Sequence, residues 1–458
     1  MRITLIGCLI ATSLISGIAG ENDPFDTQAL VTTPSLLACH KIDMTRPLSL
    51  EDVVNQALCN NPQTKIAWQA ALYQAALVGA NQSSFLPTLS ATGSIAQVES
   101  SETKTGNQDN ASLTLSYLLY DFGKRDATLE NAKQLLNAAL ASQDSTIQSV
   151  FLQAVQSYYA LFGAQASLEA FQEAEQYAKE SLSAANTRLR VGTTTKADML
   201  QAQTAYSQAM LNRIKAQGSV KSAQGALASA MNLAPDDALA LQQPSLKPPT
   251  EEFTKNIHTL MQEAQGKHPD LLAAQAKIKA YEASVKAAKA DNMPTFSLSS
   301  SVGNTDTTVL SHSSRTSSIG LYVSIPIFTG YNTKYKIQAA QEQLRQSEAE
   351  YEKLSHDVAL DVYQTYQTLM SETQAIDASR DLVVSAEASH DMAMGRYKAG
   401  VGSILDLLNA QSALASAHEN MYNHFIIGIS LKRLWQKQWA GLISHNSKDT
   451  KNAKVSME

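Results

Sequence analysis

The sequence predicts a mainly α-helical protein with a small β part, built as two similar halves. Three observations carry this. First, the stretch RLRVGTTTKADMLQAQ (188–203) returns as RYKAGVGSILDLLNAQ (396–411), an offset of 208 that carries Gly192 onto Gly400, Thr195 onto Ser403, Asp198 onto Asp406 and Gln203 onto Gln411. Second, long runs before and after each copy place apolar residues at steps of three and four, the spacing of one helix face. Third, four short stretches switch to strict alternation, the spacing of strands with one apolar face.

The elements follow in order. Residues 1–20 read as a secretory signal peptide: Arg2, then an apolar core from Ile3 to Ile18, then Ala19-Gly20. Cys8 sits in a lipoprotein-like LIGC, but only a few apolar residues precede it and the run continues beyond, which favours the signal reading. Residues 21–48 lack periodicity and form an extended arm. The first repeat, 49–232, opens on Ser49-x-x-Asp52, a capping-box start. Pro62 suits the first turn of the next helix. Past Pro87 small apolar residues alternate with Ser and Thr, giving strands at about 87–98 and 111–122, separated by the polar SETKTGNQDN. Gly123 ends the second, and from Leu129 through Leu136, Ile147, Ala154, Leu161 and Leu182 to Leu189 an alanine-rich heptad-like seam runs about 60 residues, a rod of roughly 90 Å.

The tip at about 188–198 then turns the chain. Glycine enters the left-handed region without steric cost, and Thr195 caps the return helix with Asp198 three residues on. The Pro-rich 233–250 links the halves. The second repeat, 251–443, retraces the first: strands at about 294–304 and 317–328, a second rod from Ile337 to Ala386, and a tip at about 396–406. Residues 444–458 form a polar tail.

Net charge is −6 and there is no basic tract, which argues against nucleic acid as a partner. No stretch after the signal reaches the ~18 apolar residues of a membrane helix. The nine His are scattered without ligand spacing, and no nucleophile-base pattern sits on suitable elements, so neither catalysis, nor a metal, nor a cofactor is expected. Cys39 and Cys59 remain after signal removal; in an exported chain they form a disulfide or stay as two thiols.

Four strands with one apolar face cannot hide their edges within one chain, and lipid forbids an open sheet edge. Outer-membrane barrels have at least eight strands. The pattern therefore points to an oligomer, with three copies giving about 12 strands. A small soluble sheet packed on helices is the other reading of the same strands.

These residues resemble the TolC-like outer-membrane channel proteins over nearly the whole chain: ALCNNPQ before the first long helix, FLPTLS and MPTFSL entering strands, LYDFGKR and IPIFTGY leaving them, and the two tips, all in doubled order. The resemblance implies a homotrimer in the outer membrane of a Gram-negative bacterium, with a 12-stranded barrel on an α-helical periplasmic tunnel. It implies an exit duct for efflux or type I secretion, served by a periplasmic adaptor (a membrane fusion protein) and an inner-membrane pump of ABC or RND type. The cysteine pair with ALCNNPQT resembles the CyaE-like branch that serves type I secretion.

The resemblance also implies a gate at the tips. Tyr397 and Asp406 match its constriction residues, so three Asp406 carboxylates would ring the mouth and attract cations. A second acidic position is here Asn409, which leaves any second ring neutral. An Arg two residues after the second tip glycine is here Gly402; its partner is Asp198, and Arg188 or Arg396 is the candidate replacement. Both aspartates also suit capping-box geometry, the reading favoured for Asp198, whereas the resemblance favours the gate for Asp406; Tyr397 equally suits hairpin packing. Val191, Gly192 and Thr193 of one tip, with Gly400, Val401 and Gly402 of the other, are the expected adaptor contacts, or simply turn residues.

Two other classes compete. A secreted structural coiled-coil protein would lack the four strands and the signal. A periplasmic adaptor would carry one hairpin flanked by compact β domains.

Overall fold

The computed structural model describes residues 23–31, 39, 46–100, 103–237, 239–242, 257–307 and 312–439. The signal segment 1–20, half of the linker (238 and 243–250) and the tail 444–458 lie outside that range. The elements are α1 (Leu50–Asn60), α2 (Pro62–Ser83), β1 (Thr88–Ser100), β2 (Thr103–Tyr120), α3 (Lys124–Arg190), α4 (Lys196–Ala230), α5 (Ile257–Lys267), α6 (Pro269–Ala290), β3 (Thr295–Thr307), β4 (His312–Ser324), α7 (Asn332–Lys398) and α8 (Ile404–Trp439). The duplication is exact in length where it is longest: α3 and α7 are both 67 residues. A 3-10 turn over Thr27–Leu30 interrupts the arm, where the sequence showed no period.

The chain divides into two compact units. The first holds the sheet with most of α2, all of α6 and the opening turns of α3 and α7. The sheet order is β1-β2-β3-β4, antiparallel throughout. Its centre joins the two halves of the sequence, with Leu113 opposite Val302 and Tyr117 opposite Leu298. The strands run further into the polar segments than the alternation reaches: β2 begins at Thr103 and β4 at His312. Hairpin pairing satisfies the backbone there whatever the side chains, and alternation marks only the rows with an apolar face.

Tight junctions lead from strands to helices. Phe122 and Gly123 both have positive φ after β2, and Gly330 and Tyr331 do the same after β4. Asp121, nearly buried, fixes the first: it accepts from the Arg125 backbone N–H and from Arg125 Nε, both at 3.0 Å, while the guanidinium lies 4.8 Å from the centre of the Phe85 ring. At the end of α6, Asp291 pairs with Lys124 and Lys336, and these lysines hold its carboxyl below the ordinary range. Trp68, Ala71, Ala75 and Val78 of α2 pack on Ala132 and Leu136 of α3, with Val31 of the arm.

The second unit holds α1, α4, α5, α8 and the remainder of α3 and α7. Its largest core joins Val53 and Ala57 of α1 to Ile147, Val150, Ala154, Tyr158 and Leu161 of α3 and to Leu227 of α4. Ser49 closes the expected capping box with Asp52. Leu48 pairs with the linker, donating to Ala240 O at 2.8 Å and accepting from Gln242 N at 2.9 Å. The Tyr158 hydroxyl donates to Gln242 O at 2.7 Å, and burial pushes its pKa up to about 12. Cys39 and Cys59 are joined in a disulfide, with Cα atoms 5.7 Å apart, which ties the arm to α1.

Candidate functional site

The two tips are built alike, bond for bond. At the end of α3, Gly192 N–H donates to Leu189 O at 3.1 Å and Thr193 N–H to Arg188 O at 2.9 Å. At the end of α7, Gly400 N–H donates to Tyr397 O at 3.0 Å and Val401 N–H to Arg396 O at 3.1 Å. Both are complete Schellman motifs with glycine in the left-handed position, φ +78° and +83°. A valine flanks each glycine at the apex, Val191 before Gly192 and Val401 after Gly400, 69% and 72% exposed. Gly402 is set differently: a Cβ there would meet Tyr397 N and Arg396 Cβ at 3.0 Å, so the tip folds back closely against its own helix and a side chain would need its neighbours to give by a few tenths of an ångström.

Asp198 and Asp406 share a sequence position and diverge in surroundings. Asp198 accepts from Thr194 Oγ1 at 2.7 Å and from Thr195 N at 3.1 Å, and Thr195 Oγ1 accepts from Asp198 N, a complete capping box. The Thr194 hydroxyl, then the Thr195 N–H, hold its carboxyl below the ordinary value. Asp406 receives no comparable bond among the described residues. Its N–H donates to Ser403 Oγ at 3.1 Å, and its side chain is exposed, as is that of Asn409 one turn on.

Tyr397 is 1% exposed and sits where four helices meet, with Ala185 of α3, Ala202 of α4, Met394 of α7 and Leu407 of α8. Burial pushes its hydroxyl up from the ordinary value, and that hydroxyl has no well-directed hydrogen-bond partner. Arg188 covers the ring, its guanidinium 4.8 Å from the centroid. The same guanidinium donates to Tyr397 O at 3.2 Å and to Thr193 O at 3.3 Å. One side chain, itself in the last turn of α3, thus joins a last-turn carbonyl of α7 to the turn that follows α3, and the negative dipole ends of both long helices favour a cation there. Of the two candidate arginines, Arg188 makes this contact. Asp198, Arg188 and Tyr397 are brought into one cluster; Asp406 and Asn409 stand apart from it on the exposed side of α8.

A second link between the hairpins escaped the sequence reading. Gln411 Nε2 donates to Ser181 Oγ at 2.9 Å, both residues buried. Near it His390 packs on Tyr177 with ring centres 4.5 Å apart. The signal for this polar layer was present: Ser181 and His390 fall on the heptad seam among apolar positions. No group of three metal-binding side chains occurs among the described residues.

Comparison with known proteins agrees with this architecture. The outer membrane efflux protein family model matches residues 53–233 and 260–424. The chain is 29% identical to Protein CyaE of Bordetella pertussis over 82% of its length and 81% of the relative's. It is 23% identical to Outer membrane protein TolC of Escherichia coli, over 71% of this chain and 69% of that one. Among solved structures, the outer membrane protein VceC of Vibrio cholerae shares the fold, with a TM-score of 0.74 at 20% identity over 85% of this chain and 95% of its own. The match to the family model spans both repeats and both tips, and the chain belongs to the outer membrane efflux protein family.

Proposed function

We propose that three copies of this chain form a passive exit duct of an efflux or type I secretion system in the outer membrane of a Gram-negative bacterium. The observation that carries this is the bare sheet. Leu89, Ile95, Ile319 and Leu321 are exposed on one face, Ile95 by 82%, and the exposed apolar run continues to Ile327, 94% exposed, and Phe328. Among the described residues both outer strands, β1 and β4, have one unpaired edge. A sheet with a greasy face and two open edges is unsound in water and is completed in lipid by closing edge to edge with its copies. Three copies close a barrel of twelve strands. No helix among the described residues is long and apolar enough to cross a membrane. Tyr120, Phe122, Phe328 and Tyr331 cluster where strands give way to helices, the position of an interfacial aromatic belt.

Each 67-residue helix is about 100 Å long at 1.5 Å per residue, and the pair of tips is assigned to the periplasmic mouth of the duct. Three exposed Asp406 carboxylates there form a cation-attracting ring, and the Arg188–Tyr397 contact holds the two tips of each protomer together. The exposed apices at Val191 and Val401, with Gly192, Thr193, Gly400 and Gly402, meet a periplasmic adaptor, which links the duct to an inner-membrane pump. The cysteine pair beside ALCNNPQT favours the type I secretion branch.

The alternative of a secreted coiled-coil protein leaves the bare sheet without a purpose. Membrane extraction separates the two. The duct stays in the outer-membrane fraction through high-salt and alkaline washes and leaves it only in detergent, as a complex of three chains. Release as a soluble single chain without detergent would reject the duct.

A further inference from the structure

The charges around the strand-to-helix junctions of the first unit fall into two groups. One group is satisfied within the chain: Lys124 and Lys336 pair with Asp291, and Arg125 with Asp121. The other lines a groove of about 580 Å³ between the opening turns of α3 and the facing side of α6. Buried Ala127 and Ala283 form its floor, where small side chains let the two helices approach closely. Asp126 and Glu130 stand on the α3 wall, and Lys279, Glu282 and Lys286 on the α6 wall, all exposed. Glu282 and Lys286 even have the i,i+4 spacing that favours pairing. Among the described residues, none of these five makes an ion pair. Glu130 accepts only from Gln134 of its own helix, at 2.7 Å.

The groove continues the apolar face of the sheet. Near the end of β2 a bulge takes the pairing from Leu118 opposite Ser297 to Tyr120 opposite Phe296, two residues on one strand against one on the other. Tyr120 is thereby shifted off the hydroxyl-rich face and onto the apolar one, beside Phe296 and Val323. The Phe122 ring meets Tyr120 edge-on with centroids 4.7 Å apart, and Phe122 also lines the groove. β2 leads into α3 and α6 leads into β3, the two inner strands of the sheet. Copies of the chain meet at the outer edges of β1 and β4, so no neighbouring copy covers the groove.

We infer that the groove binds the headgroup of a zwitterionic phospholipid that carries a primary amine. The inference rests on the duct reading above, which puts the apolar face in lipid and the aromatic junction at the membrane boundary. Such a headgroup joins a phosphate to an ammonium by a short link. Lys279 and Lys286 donate to the phosphate oxygens from the α6 wall, and Asp126 and Glu130 accept from the ammonium on the α3 wall. The five side chains sum to one net negative charge, so a purely anionic headgroup meets repulsion that a zwitterion escapes. Hydrogen bonds between ionised partners are strong, and an ammonium has three N–H groups to share between two carboxylates. A choline headgroup has no N–H to give. The acyl chains leave past Phe122 and Tyr120 onto the apolar rows.

Native mass spectrometry of the detergent-purified trimer tests this, with dioleoyl phosphatidylethanolamine, phosphatidylcholine or phosphatidylglycerol added. The expected result is saturation at three phosphatidylethanolamine molecules per trimer, with affinity at least fivefold above that for the other two lipids. Lys279→Gln with Lys286→Gln lowers phosphatidylethanolamine affinity at least fivefold. Asp126→Asn with Glu130→Gln abolishes the preference over phosphatidylglycerol. Lys215→Gln, in the second unit, changes neither. The spectrum reports assembly as well as binding, and Lys286→Gln and Glu130→Gln alone carry the test if a double variant fails to assemble. A wild type without the preference, or charge removal on either wall without its effect, overturns the inference while leaving the duct intact. Folded protein that forms no trimer overturns the duct reading itself, and the inference falls with it.

Discussion

At the scale of single residues, Arg188 does the most varied work. It sits on an aromatic face, binds a carbonyl in the last turn of α7 and one in the turn after α3, and lies near the Asp198 carboxylate. A partly desolvated cation–π contact is worth about 1 kcal/mol and hydrogen bonds from a charged donor about 1.5–3 kcal/mol each before water repays part of the loss. Removing the side chain leaves the Tyr397 ring uncovered and the hairpins joined by apolar packing and the Gln411–Ser181 bond. Arg188→Ala is therefore expected to raise the open-to-closed ratio in single-channel records by roughly tenfold, equivalent to ~1.4 kcal/mol. Arg188→Lys keeps the charge but loses the planar fork and recovers only part of the effect. An unchanged ratio in Arg188→Ala would mean the contact is incidental to closure. The sequence named this arginine only as one of two candidates, because contact between positions 209 residues apart is set by how the four helices pack and not by any local spacing.

At the scale of elements, the paired capping aspartates show what sequence symmetry conveys. The matching hydroxyl and carboxylate spacing gave both helix starts. It did not reveal that Thr194, a second hydroxyl in the first tip, would hold Asp198 while Asp406 stays exposed. Val401 follows the glycine at Thr193's counterpart, and Gly402 stands where Thr194 would, so the second tip lacks that donor. The depressed Asp198 carboxyl favours the folded helix start above the unfolded value near 3.9, and this support is lost as pH falls through the lower folded value. Hydrogen exchange, corrected for intrinsic rates, should show protection of the first turn of α4 falling below about pH 4 in the wild type. In Asp198→Asn that protection should be weaker and flat with pH across the same window. A pH-dependent loss that persists in Asp198→Asn would place the titration elsewhere. The strands tell the same story from the other side: alternation located all four, but the polar ends of β2 and β4 were invisible because backbone pairing extends past the rows that need apolar side chains.

At the scale of the whole molecule, the two repeats, the four strands and the hairpin tips were legible because each depends on local periodicity and turn chemistry. The polar layer of Ser181, Gln411 and His390 was not, because a polar residue on a seam reads the same whether it meets a partner or water. The central claim is a conduit whose narrowest point is a ring of Asp406 side chains contributed by three copies. Single-channel conductance of the detergent-purified protein in planar bilayers tests it most directly, wild type beside Asp406→Ala. The account predicts small, cation-selective steps in the wild type and a loss of most of that selectivity in the variant. Large steps in the wild type with selectivity unchanged by Asp406→Ala would contradict it, placing the constriction away from the tips.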